Sequence, residues 1–121
     1  MKAMVRMLFH GDADPALIAE AERRMLRTSP EVAYGVLRDL SRCDYRVSVR
    51  KLTIPLRAIS GDLVLTDIRA IRQVAPDFDA VAMPHMGHYP MLERPAEFNR
   101  HVAVIAEALE GRRPAPRRGG L

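Results

Sequence analysis

The chain has 121 residues, 48% of them hydrophobic, and a formal net charge of +4. This length allows one domain at most, and the apolar share is ordinary for a globular protein. The single cysteine excludes an internal disulfide, which favours a reducing compartment. The longest apolar runs fall short of the about 18 residues that cross a membrane, and the first residues lack a cleavage signal. The composition therefore predicts a cytoplasmic protein without a membrane partner.

Two helices are predicted before residue 53. Asp14-Pro15 and Ser29-Pro30 are both start signals, because Asp and Ser side chains accept from the free amides of a first turn that proline fits. Apolar residues follow each start at spacings of three to four, and the two helices are expected to form a hairpin. Cys43 falls on the apolar stripe of the second helix, which predicts a buried cysteine. The alternating Tyr45, Val47 and Val49 then allow a short extra strand.

A strand, a helix and a second strand are predicted next. Residues 55–60 are a short strand candidate that Gly61 closes, Asp67 can cap the helix, and Asp79–Met83 is the second strand. Strands joined by so short a crossover are expected to be parallel. A sheet of two parallel strands is unusual, because parallel strands normally have neighbours on both sides. The sheet is therefore expected to be incomplete.

The loops that follow these strands carry the candidate functional residues. Ligands of parallel sheets gather at the carboxyl ends of the strands, where the loops with Asp62, Asp67 and His88 would emerge. We expect the two loops to face one crevice. A histidine held at a strand end can take up and return a proton near neutral pH. His85 and His88 lack accompanying acidic or cysteine ligands, so neither a metal site nor a cofactor is predicted.

A final helix is predicted over residues 95–109, with Pro95 in the first turn and Gly111 at the end. Its stripe, expected to be buried against one face of the sheet, consists of Phe98, Val102, Ile105 and Leu109. The last 11 residues, GRRPAPRRGGL, hold four of the 19 basic residues, and the rest of the chain balances at 15 basic and 15 acidic residues. Such a tail is typical of disorder, so no nucleic-acid partner is predicted.

From Ile54 onward the residues resemble the C-terminal third of an α/β-hydrolase. The pattern is Ile-Pro-x5-Gly-Asp, then about two dozen residues, then Met-Gly-His-x4-Glu-x-Pro-x2-Phe. The resemblance implies an α/β fold class: a partial α/β-hydrolase fold, with a helical cap remnant and connector over 1–53 and a β-α-β-α core segment with two parallel strands over 54–110. The basic tail over 111–121, predicted to be disordered from its composition, follows these segments. The helices of the first segment would lie over the crevice as a lid, or simply pack on the βαβ unit.

The resemblance also implies roles for single residues. His88 falls on the catalytic histidine, which takes a proton from the nucleophile, protonates the leaving group and later activates water. The acid that orients the imidazole usually stands three residues beyond the strand-closing glycine, where this chain has Val64. The neighbouring candidates are Asp62 and Asp67, and a third alternative is an acid on a strand outside this chain. In the plainer interpretation Asp62 is a turn residue, Asp67 a helix cap and His88 a surface histidine.

A nucleophile is absent from the sequence, because no Gly-x-Ser-x-Gly or similar strand-to-helix elbow occurs in it. We therefore expect a C-terminal fragment of a hydrolase that acts on a small ester or related small-molecule substrate only when an N-terminal half completes it. Alone it is expected to be inactive. The alternative is a non-catalytic helical-βαβ interaction module, which binds a protein partner or itself through the exposed edge of the first strand and the apolar cap face.

Overall fold

The computed structural model describes residues 2–63 and 66–111. These residues form helices and one two-stranded parallel sheet, which confirms the predicted α/β class. The elements in chain order are α1 (Lys2–Arg6), α2 (Pro15–Met25), α3 (Pro30–Arg42), α4 (Tyr45–Val49), β1 (Arg57–Gly61), α5 (Ile68–Arg72), β2 (Asp79–Met83), α6 (Pro90–Glu93) and α7 (Pro95–Glu110). Val64 and the predicted disordered tail from residue 112 onward lie outside the described residues.

The predicted starts of α2 and α3 are confirmed. The Asp14 carboxylate accepts a hydrogen bond from the Ala16 amide at 2.8 Å, and the Ser29 hydroxyl accepts one from the Val32 amide at 3.3 Å. A proline follows each cap in the first turn. Each cap satisfies an amide that has no partner within its own helix, so both boundaries follow from local chemistry.

The main hydrophobic cluster lies between α1 and α2. Val5, Phe9 and Ile18 are 0%, 4% and 7% exposed, and α2 packs mainly against α1. The predicted hairpin of α2 with α3 is therefore not the main packing contact of α2. The α1 helix was not predicted, because its five residues are too few to display a helical period.

The prediction that Cys43 is buried is wrong. Cys43 is exposed at the end of α3, and no residue of α3 is buried. The side chains of Val32, Val36 and Leu40 on the same stripe are 57%, 54% and 50% exposed. Periodicity identifies the apolar face of a helix, but a second element has to cover that face before its residues are core.

The expected short strand at Tyr45, Val47 and Val49 is also wrong, because these residues form α4. The Asp44 carboxylate caps this helix by accepting from the Arg46 amide at 3.0 Å, and it also pairs with the Arg46 guanidinium. The hydrogen bonds from Arg46 lower the pKa of Asp44. A helix cap therefore decides the conformation here, and the alternation of apolar residues does not.

The sheet pairs β1 with β2 in parallel, from Arg57 opposite Asp79 to Gly61 opposite Met83. The β1 strand begins two residues later than predicted and includes Gly61, whereas the bounds of β2 are as predicted. Asp67 caps α5 by accepting from the Ala70 amide at 2.9 Å. The α5 helix is short and ends at Arg72.

The final helix, α7, lies over β1 as predicted. Its stripe is only partly covered, however: Phe98, Ile105 and Leu109 are half-buried, and Val102 is 43% exposed. The expectation of a buried stripe is therefore wrong, since a two-stranded sheet is too narrow to cover a helix of 16 residues. Over the described ranges, no helix combines the length and apolar character needed to cross a membrane.

Candidate functional site

The loops that follow β1 and β2 meet at the carboxyl edge of the sheet. Gly61 and Met83 are the last paired residues of the two strands, so both chains leave the sheet at the same end. A Cβ atom built on Gly61 would overlap the carbonyl oxygens of Met86 and Gly87 and would lie 2.7 Å from the Met86 carbonyl carbon. Only glycine permits this approach. Residues 61–63 and 84–88, which we call the Asp62 turn and the histidine loop, are thus in direct contact, whereas the expected crevice between the two loops stays a prediction.

The Asp62 carboxylate joins these two segments. One of its oxygens accepts from the His85 amide at 2.9 Å and the other from the Met86 amide at 3.1 Å. The Leu63 amide donates in return to the Met86 carbonyl at 3.3 Å. The two amide donors, that of His85 first, lower the pKa of Asp62. The aspartate is therefore ionised at neutral pH and holds the backbone of the histidine loop.

The histidine loop contains an unusual backbone conformation. His85 has a φ of 57°, a left-handed value that no other non-glycine residue of the described chain adopts. This conformation costs a non-glycine residue free energy, and surrounding contacts have to maintain it. The amides of His85 and Met86 both point at Asp62, so this carboxylate supplies that constraint.

The N-terminal segment contacts the other side of the histidine loop. The His88 amide donates to the Leu8 carbonyl at 2.6 Å. A Cβ built on Gly87 would overlap that same carbonyl oxygen and would lie 2.6 Å from the Phe9 Cα. Residues far apart in the sequence therefore pack backbone to backbone at the site, and the sequence carries no pattern that predicts this contact.

Glu93 ties the same two segments together. Its carboxylate accepts from the Gly87 amide at 2.8 Å through Oε1 and from the His10 amide at 3.2 Å through Oε2. Glu93 belongs to the sequence pattern that follows His88, but its contacts with the N-terminal segment were not predicted. Asp62 and Glu93 together hold the histidine loop from both sides.

The His88 side chain is exposed at the end of this loop. Its ring lies edge-on to Tyr89, with 5.0 Å between ring centroids, and Tyr89 packs in turn against Phe9 at 5.4 Å. No side chain of residues 2–63 or 66–111 hydrogen-bonds to the imidazole. The structure therefore combines a fixed main chain at His88 with an imidazole that solvent can reach.

The two candidate acids have other partners. Both oxygens of Asp62 accept from backbone amides of the histidine loop, and Asp67 caps α5. Within the part of the chain that the structure describes, neither carboxylate hydrogen-bonds to His88. The structure thus brings the Asp62 turn beside the histidine loop, but no carboxylate of the described residues hydrogen-bonds to the imidazole.

His85 of the histidine loop also contacts a histidine of the N-terminal segment. The rings of His10 and His85 meet edge-on with 5.6 Å between their centroids, and His10 Nδ1 is 3.5 Å from an Asp12 carboxylate oxygen. Among the described residues, no group of three or more His, Cys, Asp or Glu side chains is arranged to hold a metal ion.

Comparison with known proteins does not assign the chain to a family. No protein-family model and no curated protein sequence matches it.

Proposed function

We propose that this chain is the C-terminal segment of an α/β-hydrolase, in which His88 is the general base and acid for hydrolysis of a small ester or a related substrate. The observation that carries the proposal is the junction of the Asp62 turn with the histidine loop at the carboxyl edge of two parallel strands. Ligands of parallel sheets bind at this edge, so the exposed imidazole lies where a substrate would be bound.

The surroundings of His88 suit proton transfer. A general base has to reach its proton donor in a fixed geometry, and here the loop backbone is held by Leu8, Asp62 and Glu93. The imidazole itself remains exposed. It can therefore approach a nucleophile that another segment presents.

That other segment is required by the chemistry. The chain contains no nucleophile elbow, and the described sheet has two strands, each with an unpaired outer edge. Parallel strands are normally buried among neighbours, so the free edges are sites where further strands can pair. In this proposal an N-terminal half pairs with an edge and supplies both the nucleophile and the oxyanion hole.

The imidazole also requires a carboxylate that fixes its tautomer. Asp62 is engaged with two backbone amides and Asp67 with a helix cap. In this proposal the N-terminal half therefore either repositions one of these aspartates or contributes the acid itself. Asp62 acts in both cases as a positioning residue for the loop.

The test compares this chain with the product of the longest reading frame that contains it, using p-nitrophenyl acetate as substrate. We expect the longer product to hydrolyse the ester, and His88→Ala to lower kcat about 10²–10⁴-fold. His101→Ala, which removes a histidine of α7, is the matched control and should leave kcat unchanged. The 121-residue chain should show no hydrolysis that depends on His88.

Three results would contradict the proposal. The first is the absence of any nucleophile elbow encoded in frame upstream or in a neighbouring gene. The second is ester hydrolysis by the lone chain that His88→Ala abolishes. The third is a longer product whose activity does not respond to His88→Ala.

An alternative proposal is a non-catalytic interaction module that binds a protein partner or a second copy. The exposed apolar side chains of α3 and the unpaired edge of β1 favour it. A chain that stays monomeric and captures no partner through either surface would contradict this alternative.

A further inference from the structure

The His88 imidazole lies against the ring of its neighbour Tyr89. The two rings meet edge-on, with 5.0 Å between their centroids and 79° between their planes. Edge-to-face contacts of aromatic rings are favourable at centroid distances of about 4.5–7 Å. The hydrogen bonds of the histidine loop fix the main chain, but an exposed side chain exchanges among its staggered rotamers unless another group restricts it. The Tyr89 ring is placed to provide this restriction.

Tyr89 is itself held in place by the core of the N-terminal helices. Its half-buried ring packs against Phe9 with 5.4 Å between ring centroids, at the margin of the hydrophobic cluster between α1 and α2. Phe9 is 4% exposed, so this support is part of the core. The main chain of Tyr89 is fixed as well, because its carbonyl accepts from the Glu93 amide at 3.0 Å.

Neighbouring residues of the N-terminal segment thus support both the main chain and the ring at position 88. The Leu8 carbonyl accepts from the His88 amide. The next residue, Phe9, contacts Tyr89, and Tyr89 contacts the imidazole. A continuous set of contacts therefore leads from the cluster between α1 and α2 to the imidazole.

We propose that Tyr89 is a positioning residue for His88, whose ring, supported by Phe9, directs the imidazole. This inference rests on the proposed function, in which a general base has to reach its proton donor in a fixed geometry. The role belongs to the aromatic ring of Tyr89 and not to its hydroxyl, because the contact joins two rings. The helices α1 and α2 then serve as a support for the catalytic histidine.

Proton NMR of the 121-residue chain at about pH 8, where histidine is neutral, tests the contact without any need for activity. The ring signals of His88 are identified by their disappearance in His88→Ala. We expect cross-relaxation between the ring protons of His88 and Tyr89. In Tyr89→Leu the His88 signals should move toward those of free histidine, whereas Tyr89→Phe should preserve them. The matched control is Tyr34→Leu, which removes a tyrosine ring that is 69% exposed on α3 and should not move these signals.

Phe9→Leu tests the support of Tyr89. The variant keeps an apolar side chain in the core but removes the ring that contacts Tyr89. We expect the cross-relaxation between His88 and Tyr89 to weaken, while the amide spectrum shows that the chain remains folded. Unchanged cross-relaxation in a folded Phe9→Leu chain would overturn the part assigned to Phe9.

The kinetic test uses the longer product and p-nitrophenyl acetate. We expect Tyr89→Leu to lower kcat about 10-fold with little change in KM, because a small misplacement of a catalytic group slows the reaction. Tyr89→Phe keeps the ring and should retain the wild-type kcat.

Three results would overturn the role of Tyr89. They are His88 ring signals that Tyr89→Leu leaves unchanged, a wild-type kcat in that variant, and an equal loss of kcat in Tyr89→Phe, which would assign the effect to the hydroxyl. A longer product whose kcat does not respond to His88→Ala would contradict the proposed function instead. The NMR contacts decide separately whether Tyr89 directs the imidazole.

Discussion

Gly61→Ala is the most direct test of the contact between the Asp62 turn and the histidine loop. The added methyl group would overlap two carbonyl oxygens of the histidine loop and would lie 2.7 Å from the Met86 carbonyl carbon. Favourable contacts between carbon atoms are about 3.5–4.0 Å long. The neighbouring atoms belong to the main chain, so they cannot rotate away, and the two loops have to separate by about 1 Å.

The cost of this separation can be estimated. Overpacking of a tightly packed site typically costs about 1–3 kcal/mol. For a chain of this length each kcal/mol lowers Tm by about 4 °C, so we expect a fall of about 4–12 °C. The hydrogen bonds from the His85 and Met86 amides, now 2.9 and 3.1 Å long, would also exceed normal hydrogen-bond length after such a shift.

Thermal unfolding followed by circular dichroism at 222 nm measures the effect. Gly11→Ala is the matched control, because its added Cβ meets nothing within 4 Å, and it should leave Tm unchanged. Gly35→Ala also adds its Cβ into open space, but inside α3, and should raise stability by about 0.5–1 kcal/mol. A Tm for Gly61→Ala within 2 °C of wild type would refute the close approach of the two loops.

Three further predictions concern carboxylates. Amide donors lower the pKa of Asp62 in the folded chain. The ionised carboxylate therefore contributes its full stabilisation of the fold above the pKa of an unfolded aspartate, near 4. This contribution is lost as the pH falls through the lowered pKa of the folded chain. The Tm difference between wild type and Asp62→Asn should therefore be constant from about pH 6 to 8 and shrink below about pH 4, and a difference independent of pH would contradict this. Glu93→Gln leaves one oxygen acceptor for the Gly87 and His10 amides and should lower the free energy of unfolding by about 1–2 kcal/mol. Urea unfolding measures this loss, and an unchanged midpoint would contradict it. Asp14→Ala removes the cap of α2 and should cost about 1 kcal/mol, whereas Asp14→Ser should restore most of it.

Local signals predicted the elements that local chemistry determines. The caps at Asp14 and Ser29 locate α2 and α3, and the apolar run of Asp79–Met83 gives β2 with its bounds. The meeting of the two loops was also predictable, since parallel strands end at one edge of a sheet. Each of these predictions needs only neighbouring residues and one rule of topology.

The remaining features depend on contacts between distant parts of the chain. Glu93 and His10 are 83 positions apart, and no spacing rule connects them. The prediction that Cys43 is buried was wrong, because periodicity does not reveal whether another element covers the apolar face of a helix. At Tyr45 the alternation of apolar residues competed with the Asp44 cap, and the cap determined the structure.

In this site two carboxylates hold the backbone of the histidine loop, whereas the His88 imidazole has no side-chain hydrogen bond within the described residues. Asp62 and Glu93 bind three amides of the histidine loop, at positions 85, 86 and 87, and so fix the main chain immediately before His88. One of these constraints also maintains the left-handed residue His85. In the proposed hydrolase, such a main chain would set the direction of the His88 imidazole. The acid that completes the proposed site would then lie near the exposed ring of His88, and substitutions of Asp62 should disturb the loop before they disturb any chemistry.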